Sequence, residues 1–131
     1  MANEIAIKEE SAIALSEKFD LDELIKPLQK EIFLFDTFIA GTMKLTDTSV
    51  IEKLKEGDKL FFQREPENRY DDNAIMVLNS DKEKIGYVPE KDNVIFSRLM
   101  DAGKMLTGKV TEIKMKSGYI QVAIGIYLVD F

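Results

Sequence analysis

The sequence contains no cysteine and no histidine. That excludes disulfides, thiolate and imidazole metal sites, and every nucleophilic scheme that depends on a histidine base. A chain without cysteine suits a reducing compartment, and the expected localisation is cytoplasmic. Glycine is scarce ahead of residue 100, at Gly41, Gly57 and Gly86 only. These three lie too far apart for either common phosphate-binding glycine loop. Long apolar runs are missing too. The opening "MANEIAIKEESAIALSEKF" is broken by charges every few positions, so it reads as neither a signal peptide nor a membrane span. Internal repeats, low-complexity tracts and Gly/Ser linkers are absent as well.

Concentrated positive charge is the last thing missing. The net charge is −6, and it is unevenly placed. Residues 1–36 hold nine acids and four bases, whereas residues 37–131 hold fifteen acids and fourteen bases. Neither part suits wrapping of duplex DNA by counterion release, which needs several converging Lys and Arg. Any nucleic-acid contact is therefore expected to be small and local.

What is present is a chain with 45% hydrophobic and 9% aromatic residues, enough to bury the core of one domain. Residues 1–31 read as an acidic helical extension. Ile5, Ile13 and the alanines between them form a loose amphipathic stripe, and Asp20 with Glu23 makes a capping-box pattern ahead of Leu21, Leu24, Ile25 and Leu28. Pro27 should kink or end that helix. Residues 32–131 read as a β-domain. "EIFLFDTFIAG" resembles a buried strand that stops at Gly41. A single helical turn over 49–54 and a Gly57-Asp58 turn lead into a strand over 59–64. "NAIMVLN" is a third strand, 80–83 a polar turn and "KIGYVP" a fourth strand. Asp92 is expected to cap the helix "NVIFSRLMDA", which closes on Gly103. The rest is a hairpin turning at 116–118, with Ile120, Val122, Ile124, Ile126 and Leu128 on one face of its second strand. The expected fold is mainly β with α: a small antiparallel barrel or rolled sheet of about six strands, with one inserted helix.

The most polar stretch is "REPENRYDDNAIMV", 64–77. Its carboxylates do not suit catalysis. Asp71 and Asp72 are neighbours leading into a strand, so their side chains should diverge, unlike a glycosidase pair or a shared-proton dyad. The ligand order of an EF-hand is also absent, so no metal site and no cofactor are expected. Much of the polarity is structural. Pro66 ends a strand, Asn68 and Asp71 suit turns that bond their own backbone, and Asn73 caps the next strand. Tyr70 is left over: an aromatic in a loop beside hydrogen-bonding groups, suited to stacking one base.

The run from "AGT" through "LKEGDKLFFQREPENRYDDNAIMVLNSDKEKIGYVPEKDNVIFSRLMDAGKML" resembles the HIRAN domain family. The resemblance covers about 35–131, and the flanking "KPLQKEIFLFDTFIAGT" and "IGIYLVDF" are similar to stand-alone bacterial members. It implies an OB-like β-barrel that binds single-stranded DNA. In members fused to fork-remodelling translocases, the domain captures a free 3′ end. There an aromatic stacks the terminal bases and the aspartate of a Tyr-Asp pair accepts from the 3′-hydroxyl. Here that pair is Tyr70-Asp71. The basic-aromatic pair that follows the first-strand glycine in eukaryotic members corresponds to Met43 and Lys44, and their lysine after the "IGYVP"-like strand falls at Glu90, next to Lys91.

The resulting expectation is a non-catalytic module for a single-stranded DNA end. Tyr70 would stack, Asp71 would read the hydroxyl, Lys44, Arg69 and Lys91 would neutralise phosphates, and Tyr87 and Arg98 would add contacts. The alternative is a protein-interaction module that has lost DNA binding and uses the acidic N-terminal helices to dock a partner or to self-associate.

Overall fold

The computed structural model describes residues 30–42 and 49–130. The expected helical extension therefore lies outside the described residues, as do Met43 and Lys44. The described chain runs β1 (Lys30–Phe38), α1 (Ser49–Glu52), β2 (Lys59–Arg64), β3 (Ile75–Leu78), β4 (Lys84–Tyr87), α2 (Asn93–Asp101), β5 (Met105–Lys116) and β6 (Tyr119–Asp130). The strands form one six-stranded sheet in the order β1-β6-β5-β2-β3-β4.

The sheet curls until its two ends meet. Ala40, just past β1, exchanges backbone hydrogen bonds with Tyr87 of β4 at 2.8 and 2.9 Å. Gly86 is what allows this approach. A Cβ there would sit 2.5 Å from the Ala40 carbonyl oxygen, and a backbone atom cannot yield as a side chain can. Two further features produce the curl. The long β5 pairs with β2 through 107–109 and with β6 along its whole length, and its register with β6 shifts between Val110 and Glu112. Such a bulge bends and twists a strand locally. The result is an OB-like half-barrel, as expected.

The core follows from alternation. Val122, Ile124 and Ile126 of β6 are buried, with Ile120 and Leu128 packed beside them. Leu60, Val77 and Ile85 from β2, β3 and β4 are fully enclosed, and Val50 and Ile51 of α1, with Leu54 just beyond it, join the same cluster. α2 ends as expected. Gly103 adopts φ 88°, its N–H donates to Met100 C=O, and the Lys104 N–H donates to Leu99 C=O. That is the Schellman arrangement.

Two expectations are corrected. β1 is not a buried strand. Only Thr37 in it is buried, while Ile32, Phe33, Phe35 and Phe38 are exposed. Among the described residues it stands at the end of the strand order, with β6 as its one neighbouring strand, so less of it is covered. Asp92 occupies the N-cap position of α2 but makes no side-chain cap. Its carboxylate instead accepts from the Thr37 hydroxyl at 2.7 Å, because a buried hydroxyl requires a partner. The link ties β1 to α2.

Candidate nucleic-acid interface

β2 ends at Arg64 and β3 begins at Ile75, and the loop between them is held mainly by its own side chains. Asn68 Oδ1 accepts from the N–H groups of Tyr70 (2.9 Å) and Asp71 (3.1 Å), while its Nδ2 donates to Glu65 Oε1 at 3.0 Å. Asp71 Oδ1 accepts from the Asn73 N–H at 2.9 Å. These are the local side-chain turns expected of Asn and Asp. Asp71 and Asp72 diverge as expected, but from a turn rather than a strand. Asp72 is exposed, and Asp71 faces α2.

α2 holds the loop from beneath. Asn93 and Ser97, one helical turn apart on one face, are 1% and 0% exposed. Asn93 Nδ2 donates to Asp71 Oδ2 at 2.7 Å, and the Ser97 hydroxyl lies 3.3 Å from Asn73 Oδ1 and also donates to Val94 C=O. Asn73 thus bonds to α2 rather than capping a strand. At the other end of α2, the Arg64 guanidinium grips both Asp101 oxygens, from Nε at 2.9 Å and Nη2 at 3.1 Å. It also donates to the carbonyls of Ala74 (2.7 Å) and Asp72 (3.0 Å). The hydrogen bond from Arg64 holds the Asp101 carboxyl below its ordinary value, and the same bond raises the Arg64 pKa.

Tyr87 completes the arrangement. Its hydroxyl donates to Glu65 Oε1 at 2.7 Å and accepts from Lys84 Nζ at 3.1 Å. Tyr87 first, then Asn68 and the nearby Lys84 charge, lower the Glu65 pKa against the opposing effect of burial.

The outcome is a groove of about 450 Å³, lined among others by Gly41, Tyr70, Asp71, Lys84, Tyr87 and Asn93. Tyr70 is 88% exposed although its backbone N–H is bonded. Of the expected site residues, Tyr70, Asp71 and Tyr87 meet in this groove. Arg69, Lys91 and Arg98 are exposed but do not line it, and Lys44 lies outside the described residues. Sequence reasoning missed Arg64, Lys84 and Asn93. The available signals were an arginine ending a strand just before the loop, and the Asn93/Ser97 spacing of two polar residues on the buried face of an amphipathic helix. Among the described residues, the charged groups lining the groove are Lys84, Asp71 and Glu90, and these do not form a basic funnel. Among the described residues, no acidic group of three or more could hold a metal ion, and no helix is long and apolar enough to cross a membrane.

The curled six-stranded sheet and its loop-and-helix groove define an OB-like domain. More specifically, the chain belongs to the HIRAN domain family, whose model matches residues 32–129. It is similar to a Lactobacillus plantarum protein of solved structure, at 27% identity and a TM-score of 0.73, covering 79% of this chain and 99% of that one. The crystal structure of the human HLTF HIRAN domain matches at 18% identity and a TM-score of 0.62, over 77% of this chain and 78% of that one. The same HLTF domain in its DNA-bound conformation matches at 18% identity and a TM-score of 0.55, over 76% and 79%. In sequence, the chain is 36% identical over 83 residues to an Arabidopsis thaliana Fanconi-associated nuclease 1 homolog. The match covers 63% of this chain but only 9% of that much longer protein.

Proposed function

We propose that this protein is a non-catalytic nucleic-acid-binding module that holds the free 3′ end of a single DNA strand. The observation that carries the reading is Tyr70: an aromatic ring 88% exposed, on a backbone fixed by Asn68, beside a carboxylate at the mouth of a groove. A backbone that is already held loses little further freedom on binding, and stacking one base contributes about 1–3 kcal/mol.

Asp71 supplies the end recognition. Its oxygens already accept from the Asn73 N–H and Asn93 Nδ2. An ionised carboxylate has about four lone-pair sites, so it retains room for a hydroxyl donor. A 3′-phosphate would bring negative charge and acceptors to the same place and be repelled. Among the described residues Lys84, already at the Tyr87 hydroxyl, is the cation that lines the groove, and Arg69 and Lys91 lie on the exposed surface outside it. Few phosphates are engaged, so the salt slope is shallow, about 0.7 per contact. The DNA-bound form of the structurally similar HLTF HIRAN domain supports the polymer class.

Fluorescence anisotropy with short 3′-hydroxyl and 3′-phosphate oligonucleotides tests this. Tyr70→Ala should weaken binding about tenfold or more with little change in stability. Asp71→Ala should abolish the preference for the hydroxyl end. Equal affinity of the native protein for the two ends would remove Asp71 from recognition, and an unaffected Tyr70→Ala variant would remove stacking.

A further inference from the structure

The second interaction surface is the outer edge of β1. This strand ends the sheet order, and among the described residues nothing pairs with its outer side along 30–38. Hydrogen bonds just past its end show which groups face outward. The Ile39 N–H donates to Val122 C=O of β6 at 2.9 Å, whereas Ala40 turns the other way, to Tyr87. Backbone groups alternate between the two edges along an antiparallel strand. Odd-numbered residues of β1 therefore bond to β6, and Lys30, Ile32, Leu34, Asp36 and Phe38 direct their N–H and C=O groups to the open edge. The strand is nine residues long and carries Ile32, Phe33, Phe35 and Phe38 at 40–52% exposure. A long, apolar open edge is a template for strand addition.

We infer that its occupant is a second copy of this chain, paired antiparallel through β1 about a two-fold axis at Phe33. Charge complementarity selects the partner and the register. Outward-facing residues must oppose outward-facing residues to exchange hydrogen bonds, so the axis passes through a residue position rather than between two. Centred on Ile32, the pairing sets Lys30 against Leu34. Centred on Leu34, it sets Asp36 against Ile32. Centred on Phe33, it sets exposed Lys30 against exposed Asp36 of the other copy, twice by symmetry, with Ile32 against Leu34 and Phe33 against itself. The sequence of β1 is self-complementary in that register, and opposite charges facing across a ladder favour it while like charges oppose it. The two sheets join into one, and the groove at Tyr70, on the loop between β2 and β3, is a separate feature of each copy.

Sedimentation equilibrium of the full chain over a wide concentration range is the test. A reversible dimer is expected. Asp36→Lys alone, or Lys30→Asp alone, places like charges opposite each other at both symmetric positions and should weaken the dimer about tenfold or more. The double reversal Lys30→Asp/Asp36→Lys recreates the pairing with exchanged signs and should restore it. Both side chains are exposed, so circular dichroism should show all three variants folded. A monomer at every concentration overturns the proposal, as does a dimer indifferent to the single reversals or one that the double reversal fails to restore.

Discussion

Two loops on neighbouring strand pairs use nearly the same local chemistry. Between β2 and β3, Asn68 accepts from two backbone N–H groups and donates to the Glu65 carboxylate. Between β3 and β4, Asn79 accepts from the N–H groups of Asp81 and Glu83 and donates to the Glu83 carboxylate. The second loop stays on the sheet, against the neighbouring β2. Its contacts beyond the turn include Ser80 donating to Lys59 C=O, and Lys82 over the Phe61 ring at 3.3 Å. The first is locked to α2 at both ends of the helix, through Asp71–Asn93 and Arg64–Asp101, and it alone holds an aromatic out to solvent. An asparagine is enough to build a turn. Contacts with a distant helix turn that loop into a rigid platform.

The strongest way to break this difference is Arg64→Ala. It removes the two-pronged grip on Asp101 and the donors to Ala74 and Asp72, from a side chain only 13% exposed. A loss of about 2 kcal/mol is expected in urea unfolding. Arg64→Lys should recover little of it, because an ammonium cannot reproduce the fork. A stability unchanged by Arg64→Ala would mean that the loop is held by its own asparagine alone.

Paired substitution of the two asparagines sharpens the contrast. Asn68→Ala and Asn79→Ala should each destabilise by about 1 kcal/mol, since each leaves backbone donors without their acceptor. Only Asn68→Ala should also weaken oligonucleotide binding, because only that asparagine sets the Tyr70 backbone. Parallel anisotropy titrations separate the two, and equal losses of affinity would show that the groove does not depend on this loop.

The smallest effect is in pH dependence. The Glu65 pKa is lowered from an ordinary value of 4.5, so its contribution is fully present above that value. It is lost as pH falls through the lower folded-state value, because protonation removes an acceptor for Tyr87 and Asn68. Between about pH 5 and pH 3 the urea midpoint of the native protein should fall, and Glu65→Gln should fall less steeply.

Much of the fold was legible in one dimension. The alternation from Ile120 to Leu128 marked the core face of β6, and β2 falls on the expected residues 59–64. Gly103 and Gly118 punctuate the chain where their positive φ values are needed. β1 misled because "EIFLFDTF" has the composition of a covered strand. Composition reports what a strand can bury, not how many neighbours it acquires. Asp92 misled for a related reason: a helix-start aspartate has a local use, and Thr37, 55 positions away in sequence, outbid it.

The site divides along the same line. Asn68, Asp71 and the solvent-facing Tyr70 could be read directly, since turns bonded to their own backbone depend on residues two or three apart. Arg64 with Asp101, and Asp71 with Asn93, lie 37 and 22 positions apart. Nothing in linear spacing distinguishes such pairs from solvated charges. The sequence by itself determined which residues turn, which alternate into a core, and which aromatic has no core to enter. Only the tertiary structure decided that α2 lies beneath the loop, that Tyr87 and Lys84 line one groove with Tyr70, and that β1 ends the strand order among the described residues. Each of these depends on the curl that brings Ala40 to Tyr87, and that closure is a property of the whole sheet rather than of any segment.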